Sequence, residues 1–594
     1  MSSLPTPSIL SALQKLFSLL TRQEKLKWAG IVGFALCTSV LEVVTASVIV
    51  VFAQVLNQPE IGQEYMSRFG LGEMLSPART ILYMAIIFGV IYLVKNLVAT
   101  LEVFYQNFSI QKMGYHFKNK LLHRFSETDY NFHLTRNSSY GLAVVGGDAE
   151  MAFSSGMVSL SGIVSEGIVF SVLILMVIYL NPSLAIFIFA MSAGIALFVT
   201  KCLFPLFYRW GQRLQEASLL ASQNLIQFFH GFKELILLGK KEAFIDAYQV
   251  HSRRKANVQA IQTATNILPR IAIEVLFVGL FVAAIAYLCL EKDTPQQMIG
   301  ILGGYLYMGF RLMPGLNRII SQLNTFKSMI PFIERVYKEF FSTVTCATYA
   351  DVPHLTFKKN ITFKNVSFRY LNTKKDTLHD VNLVVYKGEC IGVVGETGSG
   401  KSTLIDMVLG LLRPTSGEIL IDGKYPVSSQ QWHQVIGYVP QAVYLTDDTI
   451  EANIAFGEKA DAINQERLTQ SIDDAQLRAF INKLPEGSKT VVGERGIRLS
   501  GGERQRISIA RALYRNPEVL IFDEATSALD NETEERLMET IHAVSKDRTV
   551  IMIAHRLSTL KDCDRIVVME SGQVKNIMDN ASFNQKSKTG RTNA

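Results

Sequence analysis

Two stretches of this chain have residue types and spacing suited to holding phosphate. Gly395-Glu396-Thr397-Gly398-Ser399-Gly400-Lys401-Ser402-Thr403 fits G-x-x-x-x-G-K-[ST] and follows the apolar run Cys390 to Val394, as a phosphate loop leaving a buried strand should. The small residues Gly398, Ser399 and Gly400 let successive N–H groups wrap an anion, and a helix starting near Lys401 adds its positive end. In this motif Lys401 reaches the β- and γ-phosphates and Ser402 ligates magnesium. The second stretch, Leu499-Ser500-Gly501-Gly502-Glu503-Arg504-Gln505-Arg506, repeats the physics, with small residues ahead of a helix offering N–H groups to an anion. Behind it, Val519 to Phe522 reads as an apolar strand that ends in Asp523 and Glu524, where a carboxylate can hold a magnesium shell. A phosphate loop alone leaves kinases, GTPases, helicases and transporters open.

These groups must be positioned by a larger frame. A chain of 594 residues holds more than one domain. Hydrophobic residues make up 48% and charged residues only 19%, with a positive mean hydropathy, which points to a membrane protein. The net charge of +7 does not indicate nucleic acid, because Lys and Arg are spread along loops beside apolar runs, as the positive-inside rule requires. The cysteines at 37, 202, 289, 346, 390 and 563 are isolated and form no C-x-x-C pair, so neither a disulfide framework nor a zinc site is expected. The N-terminus shows no signal-peptide pattern.

Six stretches reach the roughly 20 apolar residues needed to span a bilayer as a helix. They lie near Ala29 to Val55, Ile81 to Tyr105, Ser155 to Leu180, Ser183 to Phe207, Thr265 to Leu290 and Met298 to Leu323. Ser8 to Lys27, with Leu and Phe at helical spacing among basic residues, reads as an interfacial elbow helix. Lys112, Lys118, Lys120, Arg124 and Arg136 after the second span, and Arg209, Arg213, Lys233 and Arg253 to Lys255 after the fourth, put those links and both termini in the cytoplasm. Beyond Ser342 the composition changes, and Ile361 to Tyr370 alternates as a strand.

The phosphate loop, the Leu499–Arg506 stretch and the strand behind it, at this spacing, resemble the ATP-binding cassette (ABC) superfamily. That resemblance implies an all-α six-helix transmembrane domain of the ABC exporter type, followed by a cytoplasmic α/β P-loop ATPase domain. We expect residues 1–335 as the transmembrane domain, 336–358 as linker, 359–580 as the nucleotide-binding domain and 581–594 as a polar, disordered tail. In this family Tyr370 fills the place of the ring that stacks on adenine. Gln441, ending Ile436-Gly-Tyr-Val-Pro-Gln441, matches the glutamine that contacts magnesium or the attacking water. Glu524 fits the residue that polarises the water, and His555, ending Val550-Ile-Met-Ile-Ala-His555, matches the switch histidine at the γ-phosphate. Ser500, Gly501, Gly502 and Glu503 belong to the signature that closes on ATP held by another subunit, and Ser527 to Asp530 communicates across that seam. One loop and one signature per chain imply a homodimer. Breaks near Asn137 to Asp148 and Phe229 to Leu238 resemble coupling helices, and Val491 to Gly496 resembles the loop that touches them.

Glu42, Lys95, Glu102, Glu166, Lys201, Arg270, Glu274, Arg311 and Arg318 fall within or at the ends of the expected spans, where a charge is costly unless it faces protein or water. Arg270 and Glu274, one turn apart, can pair. Phe310 to Ile320 and Leu268 to Glu274 resemble the bacterial lipid-linked oligosaccharide flippase of protein N-glycosylation, which implies cavity-lining cations at Lys95, Arg270, Arg311 and Arg318. Lys95 departs from that pattern, standing where the flippase has arginine, so its charge survives without a bidentate grip on phosphate. The expected cofactors are ATP and Mg2+. The expected partners are a second copy of the chain, the lipid bilayer and an amphipathic lipid-linked or lipid-like substrate, with no nucleic acid. The expected location is the bacterial inner membrane. An exporter of lipids, drugs or peptides stays open, as does an ATP-gated channel or regulatory subunit, although an intact Glu524 speaks against the latter.

Overall fold

The computed structural model describes residues 8–57, 76–136, 138–180, 199–291, 295–342, 355–371, 373–524, 531–545, 548–554 and 557–583. It divides into two compact units, Met1–Glu127 with Asn137–Val344, and Thr128–Arg136 with Thr345–Ala594.

The first unit is helical. Helix α1 (Ile9–Leu19) starts at Ser8, whose hydroxyl accepts the Ser11 N–H. Its buried Ala12, Leu16 and Leu19 pack on the last helix of the unit, and Lys15 pairs with Glu334 there at 2.9 Å. The apolar face of the expected elbow thus meets protein. Helices α2 (Arg22–Asn57) and α3 (Pro77–Ser126) pack side by side. Along α2 the hydroxyls of Thr38, Ser39, Thr45 and Ser47 donate to carbonyls one turn back, which satisfies them inside an apolar span. On α3 the exposed residues Leu82, Ile86, Val90, Leu93 and Leu97 recur at helical spacing, an apolar stripe suited to lipid.

Helix α4 (Tyr130–Leu134) belongs by packing to the second unit, although it lies between membrane-unit helices in sequence. After it, α5 (Ser138–Leu142) runs through π-helical turns at Ala143–Asp148 and Met151–Met157 into α6 (Val158–Leu180). Helix α7 (Phe204–His230), the short α8 (Phe232–Leu237), α9 (Lys241–Glu291) and α10 (Pro295–Ser342) complete the unit. Four described helices are long and apolar enough to cross a membrane. Most of the span expected at Ser183–Phe207 lies outside the described residues, as do the loop 58–75 and the side chains of 301–312.

The first coupling turn needs correction. From Ser138 on, the expected break at Asn137–Asp148 is instead continuous helix with π-turns, and Asp148 is buried there in an ion pair with Arg335 at 3.1 Å. The short helix that joins the ATPase unit is α4, about one turn of chain earlier, held by Asp129 opposite Arg413 at 3.9 Å. The expected turn at Phe229–Leu238 coincides with α8.

The second unit is an α/β layer structure. Strands β1 (Asn360–Phe368), β2 (Leu378–Tyr386), β4 (Ser416–Ile421) and β5 (Tyr425–Pro426) form an antiparallel sheet in the order β2-β1-β4-β5. Strands β3 (Cys390–Gly395), β6 (Ile436–Val439), β7 (Val519–Asp523), β8 (Thr549–Ile553), β9 (Arg565–Glu570) and β10 (Gln573–Asp579) form the second sheet, in the order β10-β9-β3-β8-β7-β6. All its pairings are parallel except β9–β10. Strands β3, β7 and β8 are covered on both faces, which is why they read as continuous apolar runs. The loops leaving their carboxyl ends carry the phosphate loop and the Asp523-Glu524 pair, where ligands sit in open parallel sheets.

The unit begins before β1, because Phe357 is fully buried against Trp432, their ring centroids 6.0 Å apart. It also extends past residue 580, so the first residues of the tail expected as disordered, up to 583, are packed, while 584–594 lie outside the described residues. The Asn580 amide donates to the carbonyls of Leu560 and Cys563, each at 2.9 Å, and Phe583 is 2% exposed. One aromatic side chain is enough to dock a polar tail's first turn.

Candidate functional site

Strand β3 delivers Gly395 into a loop with almost no room for side chains. A Cβ at Gly395 would stand 2.3 Å from the Met569 carbonyl oxygen. Gly400, at φ +100°, caps helix α11 (Lys401–Val408) in the left-handed region, and a Cβ there would lie 2.6 Å from Leu378. The α11 N-terminus faces this loop, with Glu396 and Thr397 forming its outer turn. Lys401 is 6% exposed and curls back so that Nζ donates to the carbonyls of Gly395 and Glu396 at 2.8 and 2.9 Å. Burial pulls its ammonium below the usual lysine range, against the opposing pull of Glu524 and Asp523. The hydroxyl of Ser399 is buried without a hydrogen-bond partner, an acceptor and donor held ready in an anion cradle.

Tyr370, just past β1, stands edge-on to Phe368, and its hydroxyl meets Thr403 Oγ1 at 3.0 Å. That bond ties the ring expected to stack on adenine to the end of the phosphate loop. Beside it opens a cleft of about 460 Å3, which Asp129 and Asn131 border from the α4 segment.

At the ends of β7 and β6 the acidic groups and Gln441 converge. Gln441 Nε2 donates to Glu524 Oε2 at 2.5 Å. Glu524 adopts φ +47°, a conformation that a side chain rarely takes, and its N–H donates to the Ile553 carbonyl at 3.2 Å. Such strain aims a carboxylate where ordinary backbone would not. Asp523 Oδ2 accepts from the Tyr438 hydroxyl at 3.3 Å, and burial raises its carboxyl above the usual range. Asp406, on α11, is pushed up to about 6 by burial and by the charge of Asp523.

The donor set fits magnesium. Ser402, Asp523 and the Gln441 carbonyl would offer it hard oxygen donors, and among the described residues no group of three His, Cys, Asp or Glu forms a cage of its own. A metal held by so few protein oxygens is one that arrives with phosphate. His555 and Ser527 to Asp530 lie outside the described residues.

Helix α12 (Gly501–Tyr514) begins at the second stretch, where the sequence leads us to expect an anion-binding end. Ser500 is its N-cap, with a reciprocal box in which Ser500 Oγ accepts the Glu503 N–H at 3.3 Å and Glu503 Oε2 accepts the Ser500 N–H at 2.7 Å. The Glu503 amide is thereby occupied within the box. The amides of Gly501 and Gly502 remain the ones that can serve an anion.

In the membrane unit a cavity of about 720 Å3 lies between α9 and α10, lined by Arg270, Glu274, Asn317 and Arg318 among Phe277, Val278, Phe281, Met313 and Pro314. Arg270 Nε donates to Glu274 at 2.8 Å. Arg318 grips Glu166 of α6 through Nε at 2.5 Å and a second nitrogen at 3.0 Å. Both arginines keep more than half of their side-chain surface exposed, at 67% and 53%. Arg311 lies on α10 too, and its side chain is outside the described set. Lys95 does not join this cavity. It is buried at 6% and pairs with Glu42 at 3.0 Å, while its ammonium lies over the Tyr92 ring. Sequence reasoning foresaw the Arg270–Glu274 pair from its spacing and named Glu42 and Glu166 as charges of the spans, but not their pairing with Lys95 and Arg318 on other helices. It also missed Tyr438, although that residue stands three before Gln441.

The ABC transporter model matches residues 378–527, and the ABC transporter transmembrane region matches residues 29–302. The chain is 33% identical over 403 residues to an ATP-dependent lipid A-core flippase of Alkalilimnicola ehrlichii, covering 67% of each protein. It is 48% identical over 219 residues to the toxin RTX-I translocation ATP-binding protein of Actinobacillus pleuropneumoniae, a match that spans 36% of this chain and 31% of that one. A solved bacterial Atm1-family ABC exporter with ATP bound superimposes with a TM-score of 0.79 at 24% identity, over 96% of this chain and 99% of the other, which establishes a shared fold. With a helical membrane region and an ATP-binding domain in one polypeptide, the chain belongs to the ABC transporter family, as an exporter-type half-transporter.

Proposed function

We propose that this chain works as a homodimer which hydrolyses ATP to move an amphipathic, lipid-linked saccharide across the bacterial inner membrane. The observation that carries the cargo reading is the 720 Å3 cavity, where apolar side chains surround two exposed guanidinium groups. A guanidinium binds phosphate oxygens in the same forked geometry as a carboxylate, so an anionic headgroup can take over the position of Glu274 or Glu166. The apolar remainder suits a lipid tail.

The engine follows from the cassette. Lys401 and the loop amides would hold the β- and γ-phosphates, Ser402 and Asp523 the metal shell, and Tyr370 the base. Magnesium, when bound, neutralises charge building on the phosphate oxygens. Gln441 and Glu524, already hydrogen-bonded, would orient a water, and Glu524 would accept its proton. The signature helix α12 would close on nucleotide held by the second copy, which supplies the same residues in return. Helices α4 and α8 would pass that closure to the membrane helices that flank them in sequence.

A second reading, the export of lipids, drugs or toxins without a saccharide, draws on the lipid A-core flippase and the toxin translocator among the relatives. Translocation by the purified chain in liposomes separates the two, using a polyprenyl-pyrophosphate oligosaccharide alongside Glu524→Gln and the pair Arg311→Ala, Arg318→Ala. Transport by the parent but by neither variant, with ATP turnover kept in the arginine variant, supports the saccharide reading. Normal ATP turnover without movement of that lipid leaves only the broader exporter.

A further inference from the structure

Tyr438 lies on β6, paired with Ile521 of the neighbouring β7, and its hydroxyl reaches across to Asp523 Oδ2 at 3.3 Å. Its side chain is half-buried among acidic groups. Asp523 and Asp406 both act on it electrostatically, as does Tyr130 of α4. Asp406 and Asp523 bear like charges and repel each other across this cluster. A carboxylate next to another carboxylate in a partly dry pocket tends to rotate away, and a phenol can donate only one hydrogen bond. That one bond goes to Asp523.

We infer that Tyr438 is a positioning residue for the metal site, fixing one oxygen of Asp523 against the repulsion of Asp406 so that the other stays turned toward the metal shell. The role rests on the reading of the cassette as an ATP and Mg2+ site. Three residues further along the same strand exit stands Gln441, bonded to Glu524, so β6 governs both carboxylates that end β7. Tyr130 brings the α4 segment to the same cluster. None of this requires Tyr438 to touch nucleotide.

The test uses the full chain in nanodiscs and a fluorescent ATP analogue, its binding titrated with Mg2+ and repeated in EDTA. For Tyr438→Phe, which keeps the ring, the apparent Mg2+ affinity falls about ten-fold, as loss of one hydrogen bond to a charged group gives. Nucleotide binding in EDTA stays equal to the parent's. Compared with Asp406→Asn alone, the Asp406→Asn, Tyr438→Phe pair loses little further Mg2+ affinity, because the repelling charge is gone in both, which a merely structural role would not produce. Mn2+ bound with the nucleotide, followed by its paramagnetic resonance, reports the same order of affinities without turnover. An unchanged Mg2+ affinity in Tyr438→Phe overturns the inference, as does a loss shared with the EDTA condition or one that Asp406→Asn leaves in place. Failure of the parent itself to bind the analogue would instead strike the ATP-site reading.

Discussion

Replacing Lys95 by Met decides whether this lysine serves the cargo or the fold. Its ammonium and the Glu42 carboxylate are 3.0 Å apart, with side-chain exposures of 8% and 6%. At that separation the pair attracts by roughly 5 kcal/mol at an effective dielectric of about 20, most of it spent against desolvation of the two ions. The pair as a whole adds little net stability. Breaking it is different, because Glu42 keeps its burial and loses that cation, at a cost of about 3–5 kcal/mol. Glu42→Leu with Lys95→Met removes both charges and should recover most of that loss. The assay is thermal unfolding of the purified chain in nanodiscs in a Trp432→Phe background, so that fluorescence of Trp28 and Trp210 follows the membrane unit. Each single variant should unfold several degrees below the parent, and the double variant close to it. The reasoning fails if Lys95→Met leaves the midpoint unchanged, and cargo-stimulated ATP turnover lost in that same variant would return Lys95 to the cavity.

Glu524→Gln should bind nucleotide as the parent does and hydrolyse it at least ~100-fold more slowly, measured by phosphate release, since it retains the Gln441 contact and loses the proton acceptor. Asp406 gives a pH dependence measurable in nucleotide-free protein with EDTA. Its folded value of about 6 lies above the usual 3.8, so the folded state holds the proton more tightly and stability falls as pH rises between those values. The displacement is worth roughly 3 kcal/mol, cut to ~1–2 kcal/mol because the group is partly exposed. Asp406→Asn should therefore unfold above the parent at pH 8 and level with it near pH 4. Phe583→Ala should cost the ATPase unit about 3–5 kcal/mol in denaturant unfolding, whereas a disordered tail would make it silent.

The nucleotide cassette is legible in the sequence because its chemistry is carried by backbone within contiguous stretches. Gly395 and Gly400 are glycines for reasons of space that no other residue meets, and the apolar strand before each polar tip announces a buried parallel sheet. The acidic partners in the membrane unit are not legible in that way. Glu166 and Arg318 are 152 positions apart, and which faces of α6 and α10 meet depends on the rotation of two long helices about their axes. The first coupling turn was misplaced for a local reason. The polar stretch at Asn137 to Asp148 reads as a chain break, but from residue 138 the chain stays helical by widening into π-turns, while the short helix at Tyr130–Leu134, which groups with the ATPase unit, carries no glycine or proline to mark it.

The paired arginines also bear on how a cargo could be both held and released. Among the described side chains, Arg270, Glu274, Arg318 and Glu166 sum to zero charge, so these four attract an anion from a distance less than a bare cationic pocket would. An anionic headgroup gains only by exchanging with a glutamate at close range, and that glutamate then needs another partner or water. The net gain is the difference between two similar forks, which is small. A transporter needs that smallness, because a headgroup bound with the full strength of two unpaired guanidinium groups would not leave. Glu166, only 23% exposed, is the more confined of the two carboxylates, so its displacement depends on α6 moving relative to α10. On this argument Glu166→Gln should tighten cargo binding and slow cargo-coupled ATP turnover together, whereas Glu274→Gln, at an exposed position, should tighten binding with little effect on turnover.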